Sequence, residues 1–235
     1  MEGLIKDTHK LQTYLDNALI PWVQAVKDHP ALGGWDIINE IEGFITPGGS
    51  SSDPCVNPTS GGWAGHLYTA RELQRFINWQ ADAIYRADPQ ALVTAGSASQ
   101  GTQTDMFGKK NIYKDECLIK AGGKQRGVLN FYSTHTYDWE GKFAPEATFK
   151  HDAADYGLDK PLVIAEFSQV SGAGLTSAQE FTWAYEHGYA GAWSWQMLSP
   201  GGNGADTPAV QATGMESIRH RNDQSKGGRV ALTLH

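Results

Sequence analysis

Cysteine is scarce in this sequence, which has only Cys55 and Cys117 among its 235 residues. No cluster of cysteine and histidine has the spacing of a zinc site, so we expect no structural metal. Both cysteines lie in polar stretches with glycine, aspartate or asparagine, which are typical of loops. One disulfide between them would suit an exported protein. Two free thiols fit the same pattern, so the sequence leaves the choice open.

Long apolar runs and basic blocks are also missing. No run of about 18 apolar residues occurs, so we expect no transmembrane helix. The formal net charge is −7, and no basic amphipathic helix is present, so nucleic acid and anionic membranes are poor candidates for partners. The first residues lack the basic-then-apolar pattern of a signal peptide. We therefore expect a chain that is unprocessed or has already lost its leader.

Strand and helix patterns alternate along the chain, which predicts an α/β fold in one domain. Hydrophobic residues make up 40% and charged residues 19% of the sequence, as in globular proteins. Apolar runs predict five parallel strands, at residues 34–39, 91–95, 128–134, 162–165 and 190–195. Helical spacing predicts helices over 7–27 (with a break at Pro21), 69–88, 114–120, 145–156 and 177–187. A long loop is predicted over 43–65 and a small terminal strand over 229–234.

Two of the predicted strands end in a glutamate, Glu40 and Glu166. In a (β/α) barrel the carboxyl ends of the strands carry the catalytic groups. Two carboxylates facing each other there suit hydrolysis of a glycosidic bond, because one protonates the leaving oxygen and the other stabilises or attacks the anomeric carbon. The alternative is that both glutamates simply end their strands at solvent.

Further polar side chains are predicted at the same strand ends. Asn39 can donate a hydrogen bond to a sugar hydroxyl. Tyr137 can hydrogen-bond the Glu166 carboxylate, and His135 can orient the acid or the substrate. Each has an ordinary alternative, because Asn39 could cap the strand end, His135 could be a satisfied core residue and Tyr137 could lie at the rim.

Tryptophan is frequent, with eight residues, and several lie near the predicted strand ends. A tryptophan ring offers a flat apolar platform with one N–H to satisfy, which suits a sugar ring as well as a protein core. One of the two tryptophans after the fifth strand is expected to be core packing. The candidate platforms are Trp139, Trp193 and Trp195.

Taken together, these segments resemble glycoside hydrolase family five of clan A, most closely its animal-type endo-β-1,4-mannanases. The resemblance covers nearly the whole chain and rests on residues 35–40, 133–137, 163–167, 192–195 and 221–229. It implies that Glu40 is the acid/base and Glu166 the nucleophile, and that further active-site positions are Asn39, His135, Tyr137 and Trp193. It implies a retaining mechanism, with carboxyl groups about 5–5.5 Å apart. It also implies secretion and a β-mannan substrate, with glucomannan and galactomannan as alternatives. We expect neither a metal nor an organic cofactor, because the two carboxylates act directly and the sequence shows no ligand cluster.

The first three βα units of that family have no counterpart in this sequence. Only 34 residues precede Trp35, and they read as the helix before the fourth strand. We therefore expect a truncated TIM-type barrel over residues 1–235, whose five strands correspond to strands four to eight. The missing part includes an arginine that braces the nucleophile. Its loss is expected to raise the pKa of Glu166 and to weaken turnover, unless another cation replaces it.

An open arc of five strands leaves two sheet edges, which favour pairing with another chain. We expect two chains to associate through these edges. The alternatives are that the N-terminal helix and the tail cover the gap, or that the chain is only marginally stable. For function, the alternatives are a β-1,4-glucanase of the same family and a weakly active or non-catalytic carbohydrate-binding remnant.

Overall fold

The predicted strands form one parallel sheet whose spatial order is their order along the chain. The computed structural model describes residues 2–47, 51–56, 61–196, 204–219 and 221. Within them, each strand pairs in parallel with the next. The strands are β1 (Trp35–Asn39), β2 (Val93–Ser97), β3 (Tyr132–His135), β4 (Leu162–Glu166) and β5 (Gly191–Ala192). The expected α/β arc of a (β/α) barrel is therefore confirmed. The predicted strand over 229–234 lies outside the described residues.

Helices precede the sheet and connect most of its strands. They are α1 (Glu2–Lys6), α2 (Thr8–Tyr14), α3 (Ile20–Val26), α4 (Ala70–Ala87), α5 (Asp115–Gly122), α6 (Ser177–Glu186) and α7 (Pro208–Ile218). The long helix α4 begins with a capping box, in which Thr69 accepts from the Glu72 backbone N–H and Glu72 accepts from the Thr69 N–H. Its apolar face is buried in the core beside β2, all of whose residues are buried.

The break predicted near Pro21 is a π-helical turn, Leu15–Leu19, directly before α3. Proline is tolerated in the first turn of a helix, where its missing N–H is not needed. Helix α7 was not predicted. Its start signal is the pair Thr207-Pro208, in which the threonine side chain accepts from the backbone N–H of Val210.

The helix predicted over 145–156 is wrong. That segment holds two short 3-10 turns, Thr148–Lys150 and Ala153–Tyr156. The residue between them, His151, has extended backbone angles (φ −140°, ψ 154°), and Asp152 opens a new capping box. Local hydrogen bonding by the aspartate side chain therefore competes with a continuous helix.

Three strands also differ from the predicted bounds. The β2 strand covers Val93–Ser97, two residues later at each end than the predicted 91–95. The β3 strand begins at Tyr132 because the side chain of Asn130, and not a backbone carbonyl, accepts from the Val93 N–H at 2.7 Å. The β5 strand is only two residues long, although the N–H of Trp193 still donates to Ile164 O at 2.9 Å.

A disulfide joins Cys55 to Cys117, with their Cα atoms 5.3 Å apart, and settles the alternative that the sequence left open. It ties the long loop after β1 to α5. The same loop is held by Asp53, whose carboxylate pairs with Lys120 at 2.8 Å and with Arg71. None of the helices in the described ranges is long and apolar enough to cross a membrane.

Candidate active site

The sheet brings together three predicted site residues from distant parts of the sequence. Glu40 directly follows β1, His135 ends β3 and Glu166 ends β4. The register places His135 beside Glu166 across the β3–β4 pair. Because parallel strands end at the same edge of a sheet, the three side chains lie at one mouth.

His135 lies between the two carboxylates. Its Nδ1 atom is 2.7 Å from Oε1 of Glu40 and 3.4 Å from Oε2 of Glu166. One ligand atom from each of the three residues lies within 4.8 Å of the other two. The imidazole is only 2% exposed, whereas the side chains of Glu40 and Glu166 are 28% and 15% exposed. A buried imidazole thus links two carboxylates that remain accessible to a ligand.

The carboxylate of Glu166 accepts a hydrogen bond from the Tyr137 hydroxyl, at 3.0 Å from Oε2. Burial raises the pKa of Glu166, while the neighbouring His135 and the bond from Tyr137 act against the rise, and the charge of Glu40 adds to it. The direction agrees with the sequence-based expectation. The main physical cause in the structure is loss of solvent around the carboxylate.

The backbone of Glu40 is in the left-handed region, with φ 47° and ψ 60°. For a residue with a Cβ atom this conformation costs of order 1–3 kcal/mol and is found mainly at functional sites. Two backbone hydrogen bonds hold it: the Glu40 N–H donates to Gly96 O at 2.8 Å, and its carbonyl accepts from the Gly43 N–H at 3.0 Å. The turn aims the Glu40 side chain toward His135.

Gly96 and Asp36 were not predicted as part of the site. A Cβ atom on Gly96 would lie 3.0 Å from Nε2 of His135, 3.2 Å from Oδ2 of Asp36 and 3.5 Å from Oδ1 of Asn39. These three side chains therefore converge on Gly96, which leaves them room. The glycine in the middle of β2 is the sequence signal that could have indicated a close approach.

The predicted tryptophans are spread over the sheet. Trp193, 55% exposed, lines a cavity of about 490 Å³ with residues from the amino ends of the strands, including Trp35 and Leu92. The N–H of Trp195 donates at 2.7 Å to the carbonyl of Phe167, the residue after Glu166. Trp139 is 80% exposed in the loop after β3. This backbone bond sets the main chain of Trp195 beside the residue that follows Glu166, whereas Trp193 lines the cavity at the amino ends of the strands.

A further tryptophan, Trp63, lies beside Glu40 although it was not predicted as a site residue. A Cβ atom on Gly43 would lie 2.9 Å from its indole ring. Trp63, Asn39, Glu40 and Phe44 line a second cleft, of about 480 Å³. The signal in the sequence is its place in the long, glycine-rich loop that follows Glu40, because such loops are commonly functional.

Comparison with known proteins shows what this chain is similar to. The chain is 48% identical over 231 residues to the mannan endo-1,4-beta-mannosidase of Mytilus edulis, which covers 96% of this chain and 61% of that relative. It is 42% identical to the mannan endo-1,4-beta-mannosidase of Cryptopygus antarcticus, over all of this chain and 63% of that one. Over nearly its whole length, the chain is similar in sequence to animal-type β-mannanases. No family model matches it.

Solved β-mannanase structures have the same fold. The endo-1,4-beta-mannanase of Eisenia fetida superposes with a TM-score of 0.93 at 47% identity, over 99% of this chain and 66% of that one. The β-mannanase of Mytilus edulis gives a TM-score of 0.89 over 98% and 64%. The chain thus spans about three-fifths of the length of the curated relatives it matches.

Two groups of side chains that could ligate a metal lie close together among the described residues of this chain. One consists of Cys55, Glu116 and Cys117. Both of its sulfur atoms are in the disulfide, so they are not available as thiolate ligands. The other consists of Glu40, His135 and Glu166, the same residues that form the linked carboxylate pair.

Proposed function

We propose that this chain hydrolyses the β-1,4-mannosidic bonds of mannan with retention of configuration. The observation that carries the proposal is the pair Glu40 and Glu166 at one mouth of the sheet, linked by His135. Support comes from the relatives that the chain resembles, which are mannan endo-1,4-beta-mannosidases.

Glu40 is the acid/base and Glu166 the nucleophile in this proposal. Glu40 gives its proton to the glycosidic oxygen as that bond breaks, while a Glu166 oxygen bonds to the anomeric carbon. Glu40 then takes a proton from water, which attacks the anomeric carbon and releases Glu166. The closeness of the two carboxyl groups, within 4.8 Å between ligand oxygens, supports this route, because an inverting site needs about 6.5–9.5 Å for an intervening water.

The other predicted residues assist this chemistry. Tyr137 holds Glu166 in position through its 3.0 Å hydrogen bond, and Asn39, on the strand that carries Glu40, is available to a sugar hydroxyl. Trp195, next to the nucleophile strand, forms the platform beneath the ring, and Trp139 and Trp193 provide outer contacts. Each of these roles requires the side chain to contact a sugar that is bound at the mouth of the sheet.

Turnover is expected to be weak, because a nucleophile must be ionised and burial raises the pKa of Glu166. The same observation favours a second candidate, a carbohydrate-binding remnant that holds mannan without cleaving it. The exposed tryptophans would serve either function.

We further propose that residues 1–235 act as one domain and that the protein is extracellular. The Cys55–Cys117 disulfide supports an oxidising compartment. Pairing of two chains through the edge strands β1 and β5 stays a prediction.

The decisive experiment measures reducing-sugar release from β-mannan by the native chain, by Glu40→Gln and by Glu166→Gln. The exposed Glu116→Gln is the matched control. We expect activity in the native chain and the control, and a loss of about 10²–10⁴-fold in the Glu40 variant, with a loss at least as large in the Glu166 variant. NMR of the first product should show the β-anomer.

Equal rates in all four proteins would contradict the assignment of the site. A folded native chain that releases no sugar, but is retarded by mannan in affinity electrophoresis, would replace hydrolysis with the binding function.

A further inference from the structure

The carboxylate pair and His135 form a ligand set that glycoside hydrolysis does not require. Their ligand atoms all lie within 4.8 Å of one another. One imidazole and two carboxylates, with one open position, make the three-ligand arrangement that proteins use for zinc at accessible sites. We propose that Glu40, His135 and Glu166 bind one divalent transition-metal ion of the zinc type, and that the ion blocks the site. The blocking part rests on the proposed function.

The spacing of the ligand atoms is close to what such an ion needs. In a tetrahedral zinc site with bonds of about 2.0–2.1 Å, neighbouring ligand atoms are about 3.3 Å apart. Nδ1 of His135 is already 3.4 Å from Oε2 of Glu166. Its 2.7 Å distance to Oε1 of Glu40 has to open by about 0.6 Å. A glutamate that is partly exposed can make this movement by rotating its side chain.

Groups behind the ligands are placed to hold them. The Tyr137 hydroxyl donates to Oε2 of Glu166. On the far side of the imidazole, Nε2 of His135 and Oδ2 of Asp36 both approach Gly96, at 3.0 and 3.2 Å from the position of a Cβ atom there. A carboxylate behind a ligating histidine orients the ring and raises its basicity in many metal sites. We assign this role to Asp36, because its carboxylate approaches Gly96 together with Nε2 of His135.

The chemistry of the set selects the kind of ion. Imidazole suits zinc, copper, cobalt and nickel, whereas magnesium and calcium prefer oxygen ligands only. A site with one buried imidazole nitrogen and two carboxylates should therefore take Zn²⁺ or Co²⁺ in preference to Mg²⁺. Because the ion would occupy both carboxylates, neither could act on a glycosidic bond.

The test uses the full chain, with Zn²⁺ binding followed by calorimetry and Co²⁺ binding followed by visible absorption. We expect one ion per chain, intense bands of four-coordinate Co²⁺, and a higher melting temperature in Zn²⁺. His135→Gln and Glu166→Gln should lose all three signals. Asp36→Asn should weaken Zn²⁺ binding by about 10–100-fold. An excess of Mg²⁺ should not displace the cobalt.

The control is His187→Gln, because His187 and Asp152 form another histidine–carboxylate pair, partly exposed and away from the strand ends. It should bind Zn²⁺ as the native chain does. Binding that survives in folded His135→Gln and Glu166→Gln, or that disappears in His187→Gln, would overturn the inference, as would the lack of any bound ion.

Metal binding is measured without mannan, so either proposal can be refuted while the other stands. A chain that hydrolyses mannan and binds no Zn²⁺ refutes only the metal site. A chain that binds Zn²⁺ through these residues and has no hydrolase activity refutes only the proposed function. If both hold, Zn²⁺ should reduce mannan hydrolysis and a chelator should restore it.

Discussion

Glu42 and Glu180 are both fully buried, but their surroundings are opposite. Glu42, in the turn after Glu40, accepts hydrogen bonds from the Ala98 N–H, the Thr102 hydroxyl and the Tyr113 hydroxyl. Neither carboxyl oxygen of Glu180, in the helix after β4, has a partner among the residues that the structure describes.

The difference shows that burial and hydrogen bonding decide separate properties of a carboxyl group. Burial raises the pKa of both groups, by removing water from the charged form. Only Glu42 gains donors in return, and it thereby fastens the strained turn at Glu40 to the segments after β2. Glu180 gains none, so its side chain is expected to reduce stability and to make it depend on pH.

The largest expected effect is the difference in unfolding free energy between Glu42→Leu and Glu180→Leu. Glu42→Leu leaves the Ala98 N–H and the Tyr113 hydroxyl buried without an acceptor, and should cost about 3–5 kcal/mol of unfolding free energy. Glu180→Leu removes no hydrogen bond and should be neutral or stabilising. Urea unfolding of both variants measures the difference. Equal losses of unfolding free energy in the two variants would show that the hydrogen bonds of Glu42 do not distinguish it from Glu180.

A second expected effect is the contribution of Glu180 to a fall in stability with rising pH. Burial, with a smaller contribution from the charge of Asp206, raises the pKa of Glu180 from its usual 4.5 to about 8. Between these values the unfolded chain has lost the proton and the folded chain keeps it. The unfolding free energy should therefore fall by up to about 1.4 kcal/mol per pH unit from 4.5 to 8, and level off above 8.

This slope is isolated by subtracting the unfolding free energies of Glu180→Gln, which cannot ionise, from those of the native chain at each pH. The exposed Glu186→Gln, on the same helix, should keep the native slope. A native chain whose slope matches that of Glu180→Gln would show that Glu180 ionises normally in the folded state.

The smallest expected effect concerns the loop that covers Glu180. A Cβ atom on Gly172 would lie 2.6 Å from Oε1 of Glu180, 3.0 Å from Ser168 O and 3.2 Å from Leu175 O. Gly172→Ala should therefore cost about 1–3 kcal/mol through overpacking. Gly33→Ala is the control, because a Cβ atom there meets nothing within 4 Å. A melting temperature unchanged by Gly172→Ala would mean that the loop moves to accommodate the methyl group without loss of stability.

Much of the site could be predicted because its residues lie at the ends of segments with a clear hydrophobic pattern. Glu40 and Glu166 follow apolar runs, and such runs form buried parallel strands whose carboxyl ends meet at one edge. His135 and Tyr137 follow from the same reasoning, and the structure places both against the carboxylates. Whether they act as predicted depends on the activity measurements.

Other features could not be predicted because they depend on contacts between distant residues. The bond between Glu42 and Tyr113 joins residues 71 apart in sequence. A glycine is needed at position 96 only because Asp36 and His135 approach it from neighbouring strands. The break in the segment 145–156 has a local cause instead, the extended backbone of His151 and the capping box of Asp152, which helical spacing did not indicate.

The sequence by itself determined the α/β class, the parallel strands and the two glutamates at their ends, because these depend on local hydrophobic periodicity and on the direction of the chain. Only the tertiary structure decided the left-handed backbone of Glu40, the position of His135 between the carboxylates, the Cys55–Cys117 disulfide and the opposite surroundings of Glu42 and Glu180. The physical reason is that hydrogen bonds, burial and close approach between distant residues are fixed only when the core packs.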